Sequence, residues 1–303
     1  MGEIVKEDLG KISALLEKVV GTDSCRLIER LGGLTNHTYH VALTDGREYA
    51  VRIPGEGTEE LIVRSDERAS TELACRLDID AQMLYFGQDG SKVTEYIRNA
   101  RTMSAQTMRE KSRIPQIAYL YRKIHSCGED TGVPFEVFDM AAGYEKIIKD
   151  LNVPMFDDYE EQKAKVMDIK AQIDSQISAR KVPCHNDPLC ENWVEGDAAD
   201  GGRRLFLIDW EYAGMNDGMW DVADISIEAA YDEELDEMLL SEYLGRKPSV
   251  LDKKHFLASK IYVDYLWTLW AKTRVPYAGQ SMEDWAQERY TRMLGNIAAF
   301  EAL

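Results

Sequence analysis

A chain of 303 residues, 45% hydrophobic and 30% charged, is long enough for one large domain or two lobes with a substantial core. Its 54 acidic and 36 basic residues give a formal charge of −18, which repels nucleic acid and anionic membranes. No apolar run approaches the roughly 18 residues of a membrane span. The acidic, mixed start Met1-Gly2-Glu3-Ile4-Val5-Lys6 lacks a signal-peptide pattern, so a cytoplasmic protein without membrane insertion is expected.

Leu9, Ile12, Leu15, Leu16 and Val19 recur at helical spacing and predict a helix over 9–20, ended by Gly21. Short strands follow at 25–31, 37–44 and 48–53, the last two joined by an Asp45-Gly46 hairpin signal. A helix over 65–77 leads to strands at 82–87 and 91–97, with Gln88-Asp89-Gly90-Ser91 as the turn between them. From residue 104 the pattern is mainly helical, over 104–126, 157–179, 219–231, 252–273 and 281–301. An irregular stretch, 182–218, interrupts it with strand candidates near 192–195 and 204–209. The expected class is α+β, a small sheet lobe over 1–97 and a larger helical lobe over 98–303. Cys25, Cys75, Cys127, Cys184 and Cys190 are odd in number and form no Cys-x-x-Cys pair, which points to reduced thiols. Cys184 and Cys190 flank the loop described next, where packing around a tight turn is the simpler role.

The chemistry concentrates in His185-Asn186-Asp187, Asn192 and Ile208-Asp209-Trp210-Glu211. Asp187 and Asn192 stand five positions apart on a loop, and Asp209 ends the apolar run 205–208. Phosphoryl transfer needs positioning and charge neutralisation more than covalent help. An aspartate facing a hydroxyl can orient it and take its proton, while Asn and Asp oxygens suit Mg²⁺.

His185-x-Asp187-x-x-x-x-Asn192 followed by Asp209-Trp210-Glu211 resembles the aminoglycoside phosphotransferase and choline kinase superfamily, whose fold is similar to that of protein kinases. The resemblance implies a two-lobed fold with an antiparallel-sheet N-lobe that binds nucleotide and a helical C-lobe that carries catalysis and substrate. It implies Asp187 as catalytic base, Asn192 and Asp209 as magnesium ligands assisted by Glu211, and His185 as a support of the loop. Leu31-Gly32-Gly33-Leu34-Thr35-Asn36 resembles the superfamily's nucleotide loop, in which Gly33, Thr35 and Asn36 approach phosphates. Arg52, in Val51-Arg52-Ile53, occupies the place of the protein-kinase lysine, with Glu67 the preferred carboxylate partner and Glu72 the alternative. Val93-Thr94-Glu95-Tyr96-Ile97 fits the hinge, where backbone at Glu95 and Ile97 would pair with adenine.

Toward the C-terminus the similarity narrows to choline kinases, bacterial ones above all, through Asp209-Trp210-Glu211-Tyr212-Ala213-Gly214, Asn216 and Trp220-Asp221-Val222-Ala223-Asp224. Trp267 and Trp270 share a helix face at i and i+3, and Trp285, in Glu283-Asp284-Trp285-Ala286-Gln287-Glu288-Arg289, lies on the next helix. A quaternary ammonium offers no N–H, so ring faces and carboxylates must recognise it. The resemblance implies that Tyr212, Trp267, Trp270 and Trp285 line the acceptor pocket and that Glu228 adds negative charge. The expected protein is an ATP- and Mg²⁺-dependent kinase of choline, monomeric or homodimeric, giving phosphocholine and ADP. Ethanolamine, thiamine or an aminoglycoside stand as alternative acceptors, acidic residues over 228–237 keeping the last open. A non-catalytic ligand-binding protein on a kinase scaffold is the alternative from another class.

Overall fold

A computed structural model describes residues 6–31, 36–55, 63–198 and 201–303. In chain order the elements begin α1 (Lys6–Val20), β1 (Cys25–Arg30), β2 (Asn36–Leu43), β3 (Glu48–Pro54), α2 (Arg64–Arg76), β4 (Met83–Phe86), β5 (Lys92–Glu95) and β6 (Arg101–Thr102). Four helices follow: α3 (Ala105–Met108), α4 (Ile114–His125), α5 (Val137–Asp150) and α6 (Tyr159–Gln176). Then come β7 (Lys181–Cys184), β8 (Trp193–Asp197), β9 (Arg203–Leu207) and β10 (Gly214–Asp217). The chain closes with α7 (Met219–Glu228), α8 (Glu233–Leu244), α9 (Val250–Ala278) and α10 (Gln280–Ala302).

Two compact units result. The first comprises residues 1–103 and 191–213, the second 104–190 and 214–303. A single cut at 97/98 therefore does not describe the division. The hairpin β8–β9 returns to the first unit because β6 pairs with β8, Arg101 opposite Glu195, and the Leu207 N–H donates to the Ile79 carbonyl.

The first unit is built on an antiparallel sheet in the order β1-β2-β3-β5-β4. Period-two alternation sorts its two faces. Tyr39, Val41, Leu43, Tyr49, Val51, Ile53 and Val93 point one way and pack with Ile12, Leu15 and Leu16 of α1 into a core. The intervening residues point the other way, and the register places Arg52 directly between Thr38 and Lys92. The Asp45-Gly46 turn closes β2 on β3 as the sequence predicts, with Gly46 at φ +87°.

The second unit holds the helices and the short β7–β10 ladder. The continuous helix expected over 104–126 is two helices. Ser104 and Thr107 form a capping box on α3, and Pro115 sits in the first turn of α4, so 109–113 is a connection. Two helices were not expected, α5 and α8. The acidic residues around 232–236 are the start of α8: Asp232 caps it through the Leu235 N–H, and Glu233, Glu234 and Asp236 fill its first turn. That use explains this part of the run without an aminoglycoside. No helix among the described residues is long and apolar enough to cross a membrane.

Candidate active site

In the first unit, Arg52 is a buried guanidinium, 4% exposed, on the polar face of β3. Its Nε and Nη2 both donate to the Gly90 carbonyl, at 3.1 and 2.9 Å, and Nη1 lies 2.5 Å from Glu67 Oε1, off the hydrogen-bonding direction. Gly90 makes this possible. It sits at φ +88° in the turn between β4 and β5, and any Cβ there would collide with the Arg64 guanidinium. Glu67 is fully buried on α2 and also accepts from Arg64 Nη1 at 2.7 Å, with Lys92 Nζ 4.0 Å away. Burial opposes its charge, but Arg52 and Lys92 outweigh burial and hold Glu67 below the ordinary glutamate range. Of the two carboxylates considered for Arg52, the partner is Glu67. Glu72 pairs with Arg68 at the surface. Arg64 and Lys92 were missed, although Arg64 stands three residues before Glu67 on the same helix, a spacing at which side chains meet.

The acidic half of this constellation follows β9. The Ile208 N–H donates to the Asn192 carbonyl at 2.9 Å, so the ends of the β8–β9 hairpin bring Asn192 and Asp209 together. Asp209 adopts φ +69°, a left-handed conformation that Asp tolerates better than most residues, and its Oδ1 lies 3.8 Å from Arg52 Nη1. Glu211 accepts from Asn36 Nδ2 at 3.3 Å, and Arg64 Nη1 is 4.0 Å away. Burial, with Asp209 and Glu67 nearby, pushes Glu211 up to about 7. Asp80 is similarly raised to about 6, by burial first and by Asp209 against Lys92. Acids that resist ionisation beside the half-buried Asp209 mark negative charge that the surrounding Arg and Lys side chains leave uncompensated. A small divalent cation with oxygen ligands fits that donor set.

Asn36 thus stands in the cluster, whereas Gly33 and Thr35 lie outside the described residues. The hinge strand ends at Glu95, whose N–H donates to the Gln82 carbonyl at 2.9 Å. Ile97 lies beyond the strand, and its N–H has no protein partner among the described residues. Tyr212 is half-buried near the end of this unit.

In the second unit, the loop after β7 is fixed through its backbone by a residue the sequence reading quoted without a role. Asp221, wholly buried on α7, accepts from the His185 and Asn186 N–H groups at 2.8 Å each. Its Oδ2 also meets His125 Nε2 at 3.0 Å. Asn186, at φ +66°, has its carbonyl bonded by the Trp220 indole and its Oδ1 by Asn216 Nδ2, both at 3.0 Å. His185 Nδ1 faces the Asp187 N–H at 3.3 Å, an orienting contact that suits the supporting role expected of His185. Three side chains and a left-handed backbone therefore determine where Asp187 stands. Cys184 lies near His125 and Asp221, but burial pushes its thiol well above the ordinary cysteine range, consistent with packing.

The tryptophans do cluster. Trp267 and Trp270 meet edge-on with ring centres 6.1 Å apart, and Trp270 meets Trp285 at 5.9 Å. Glu228, however, is not a free charge, because Arg289 Nη2 bonds its Oε1. The Arg289 guanidinium lies over the Trp285 ring, 4.1 Å from its centre, and reaches Asp264, which Arg292 also holds. Arg289 went unremarked although it ends the segment that contains Trp285.

A family model described as choline/ethanolamine kinase matches residues 28–272. A choline/ethanolamine kinase family protein from Mesorhizobium loti superposes with a TM-score of 0.82 at 28% identity, over 98% of this chain and 99% of that one. The choline kinase LicA from Streptococcus pneumoniae gives 0.79 at 30% identity, over 97% and 98%. A spectinomycin phosphotransferase in complex with ADP and spectinomycin shares the fold at 12% identity, with a TM-score of 0.63 over 97% and 98%. The protein-kinase-like fold is the one expected, and ATP with Mg²⁺ are the cofactors of such kinases. The chain belongs to the choline/ethanolamine kinase family, as an ATP-dependent phosphotransferase acting on an alcohol.

Proposed function

We propose that the alcohol is choline, converted with ATP to phosphocholine and ADP. The observation that carries this reading is the Trp267–Trp270–Trp285 cluster, a run of indole faces and edges in the unit that also holds Asp187. Indoles attract a cation that offers no hydrogen for bonding, and choline is such a cation. The similar LicA protein from Streptococcus pneumoniae is a choline kinase, which points the same way.

In this reading Asp187 orients the choline hydroxyl and takes its proton as the bond to phosphorus forms. His185 and Asp221 keep the loop in place for that alignment. Arg52, held by Gly90 and Glu67, meets nucleotide phosphates, and Asn36, which begins β2, is assigned with Gly33 and Thr35 to the same phosphates on the family resemblance. Backbone groups at Glu95 and Ile97 receive adenine, with the Ile97 N–H as donor. Asn192 and Asp209 would hold Mg²⁺, with Glu211 beside them, and the ion supplies neutralisation of phosphate charge. Tyr212 is assigned to the acceptor pocket on the family resemblance.

Ethanolamine is the second reading, favoured by one observation: Arg289 already lies against Trp285 and Glu228, while a buried carboxyl close by, Asp224, remains available. An assay of ADP formation with Mg²⁺-ATP across choline, ethanolamine, thiamine and an aminoglycoside tests the proposal. Choline should give the highest kcat/KM. A higher value for another acceptor replaces choline, and nucleotide binding without alcohol-dependent ADP formation returns the protein to the class of silent binders.

A further inference from the structure

Asp224 lies on α7, one helical turn before Glu228 and three residues after Asp221. It is 1% exposed, and its Oδ2 is buried with no hydrogen-bond partner among the described residues. Several charged or titratable groups face it: Asp221 and Glu228 from its own helix, Asp187 from the loop after β7, Tyr121 from α4 and Arg289 from α10. Arg289 is the cation of this group, and it is committed to Glu228, to Asp264 and to the Trp285 ring. A buried carboxyl oxygen without a donor bears the full penalty of its lost hydration. Such an oxygen calls for an explanation, and a buried acid near a candidate catalytic group is a functional-site candidate.

We propose that Asp224 is a specificity-determining residue of the acceptor subsite, where it meets the ammonium head of a small amino alcohol and favours heads that carry N–H. The proposal rests on the amino-alcohol kinase reading. Once Asp224 is ionised, as a bound cation favours, its unsatisfied oxygen can be satisfied by a donor alone. A primary ammonium supplies up to three N–H donors, whereas a quaternary head supplies none and leaves Oδ2 as it was. Choline would draw its affinity from the indole faces, and ethanolamine from Asp224, so the relative use of the two turns on this residue. Burial, with Glu228, Asp187 and Asp221 acting against Arg289, pushes Asp224 well above the ordinary aspartate range. Free Asp224 therefore holds its proton more firmly than an ordinary aspartate, and a bound cation favours release of that proton to solvent.

The test uses the full chain with Mg²⁺-ATP and four acceptors: ethanolamine, its N-methyl and N,N-dimethyl derivatives, and choline. For Asp224→Asn, kcat/KM should fall about 100-fold with ethanolamine, mostly through KM, the loss shrinking with each added methyl to about threefold with choline; a hydrogen bond to a charged group is worth ~1.5–3 kcal/mol. Binding of ethanolamine in two buffers of different ionisation heat, followed across pH, should show more proton release by wild type than by the variant. Asn matches the shape of a protonated Asp, so the variant should melt at or above the wild-type temperature. If it does not fold, Asp224→Ser is read in the same way. Equal losses across the four acceptors, no loss at all, or an unchanged proton count would each overturn the role of Asp224 and leave the kinase reading standing. If none of the four supports ADP formation by wild type, the amino-alcohol reading itself falls and takes this proposal with it.

Discussion

The two units answer opposite charges. In the first, Arg52, Arg64 and Lys92 are interleaved with Glu67, so each buried cation is pinned in place before any ligand arrives. In the second, Asp187, Asp221, Asp224, Glu228 and Asp264 share a neighbourhood with Arg289 and Arg292, so acids outnumber arginines. A nucleotide is a polyanion and an amino alcohol a cation. Preset cations suit the former and a surplus of buried acid suits the latter. The comparison can be broken by removing one member from either set and asking which substrate suffers.

The largest effect belongs to Asp187. Asp187→Asn should lower turnover by about 10³-fold with the fold intact and nucleotide affinity within about threefold, the general-base contribution being ~10²–10⁴. Turnover near that of wild type would remove Asp187 from the base role. Next comes its support. Asp221→Asn withdraws a carboxylate from two backbone N–H groups and a histidine. Its kcat should drop about 100-fold, as misplacement of ~1 Å does, with little change in KM for ATP. A matching loss in nucleotide binding would show that Asp221 holds more than the loop.

In the first unit the order reverses, with nucleotide and stability affected before chemistry. Glu67→Gln leaves Arg52 buried without its counter-charge and should cost about 3–5 kcal/mol by chemical denaturation, with a raised KM for ATP. Glu72→Ala, which opens a surface pair, should cost under about 1 kcal/mol. Equal costs would mean that Arg52 does not depend on Glu67. On the acceptor side, Trp270→Ala should raise KM for choline about tenfold, from a cation–π contribution of ~1–2 kcal/mol, and raise that for ethanolamine less.

The contrast between the units also shows in what the sequence disclosed. Asp187, Asn192, Asp209 and Arg52 stand out in the sequence because phosphoryl chemistry would restrict both residue type and spacing, and the Ile208–Asn192 backbone contact follows from a hairpin. Glu67 was legible as a choice between two acids on one helix. The structure decides it because residue 67 faces inward and residue 72 does not. Asp221 and Arg289 were quoted in motifs yet given no role, since their partners lie 36 and 61 positions away and no local pattern announces such pairs. Helix α5 was legible but not read: Val137, Ala141, Tyr144 and Ile148 recur at helical spacing, and the first, second and last of them are buried. Helix α8 escaped because acids that serve its first turn read as a charge run. The break between α3 and α4 was hidden by apolar spacing that continues across it, with Pro115 as the signal that a new helix begins.

A last effect is a pH trend set by Glu211 in the first unit. Glu211, pushed up to about 7, holds its proton in the folded chain across a range where the unfolded chain has lost it. The folded state then binds more protons than the unfolded one between about pH 4.5 and 7, so metal-free stability falls as pH rises through that window. Glu211→Gln removes this dependence, and the stability gap between variant and wild type should widen by about 1–3 kcal/mol in favour of the variant from pH 4.5 to 8. Urea midpoints at the two ends measure it. Mg²⁺-ATP should shrink the trend, because a cation among Asn192, Asp209 and Glu211 compensates the charge that burial penalises. An identical pH slope in wild type and variant would mean that Glu211 is ionised in the folded protein, and that the acidic end of the β8–β9 hairpin needs no cation to settle it.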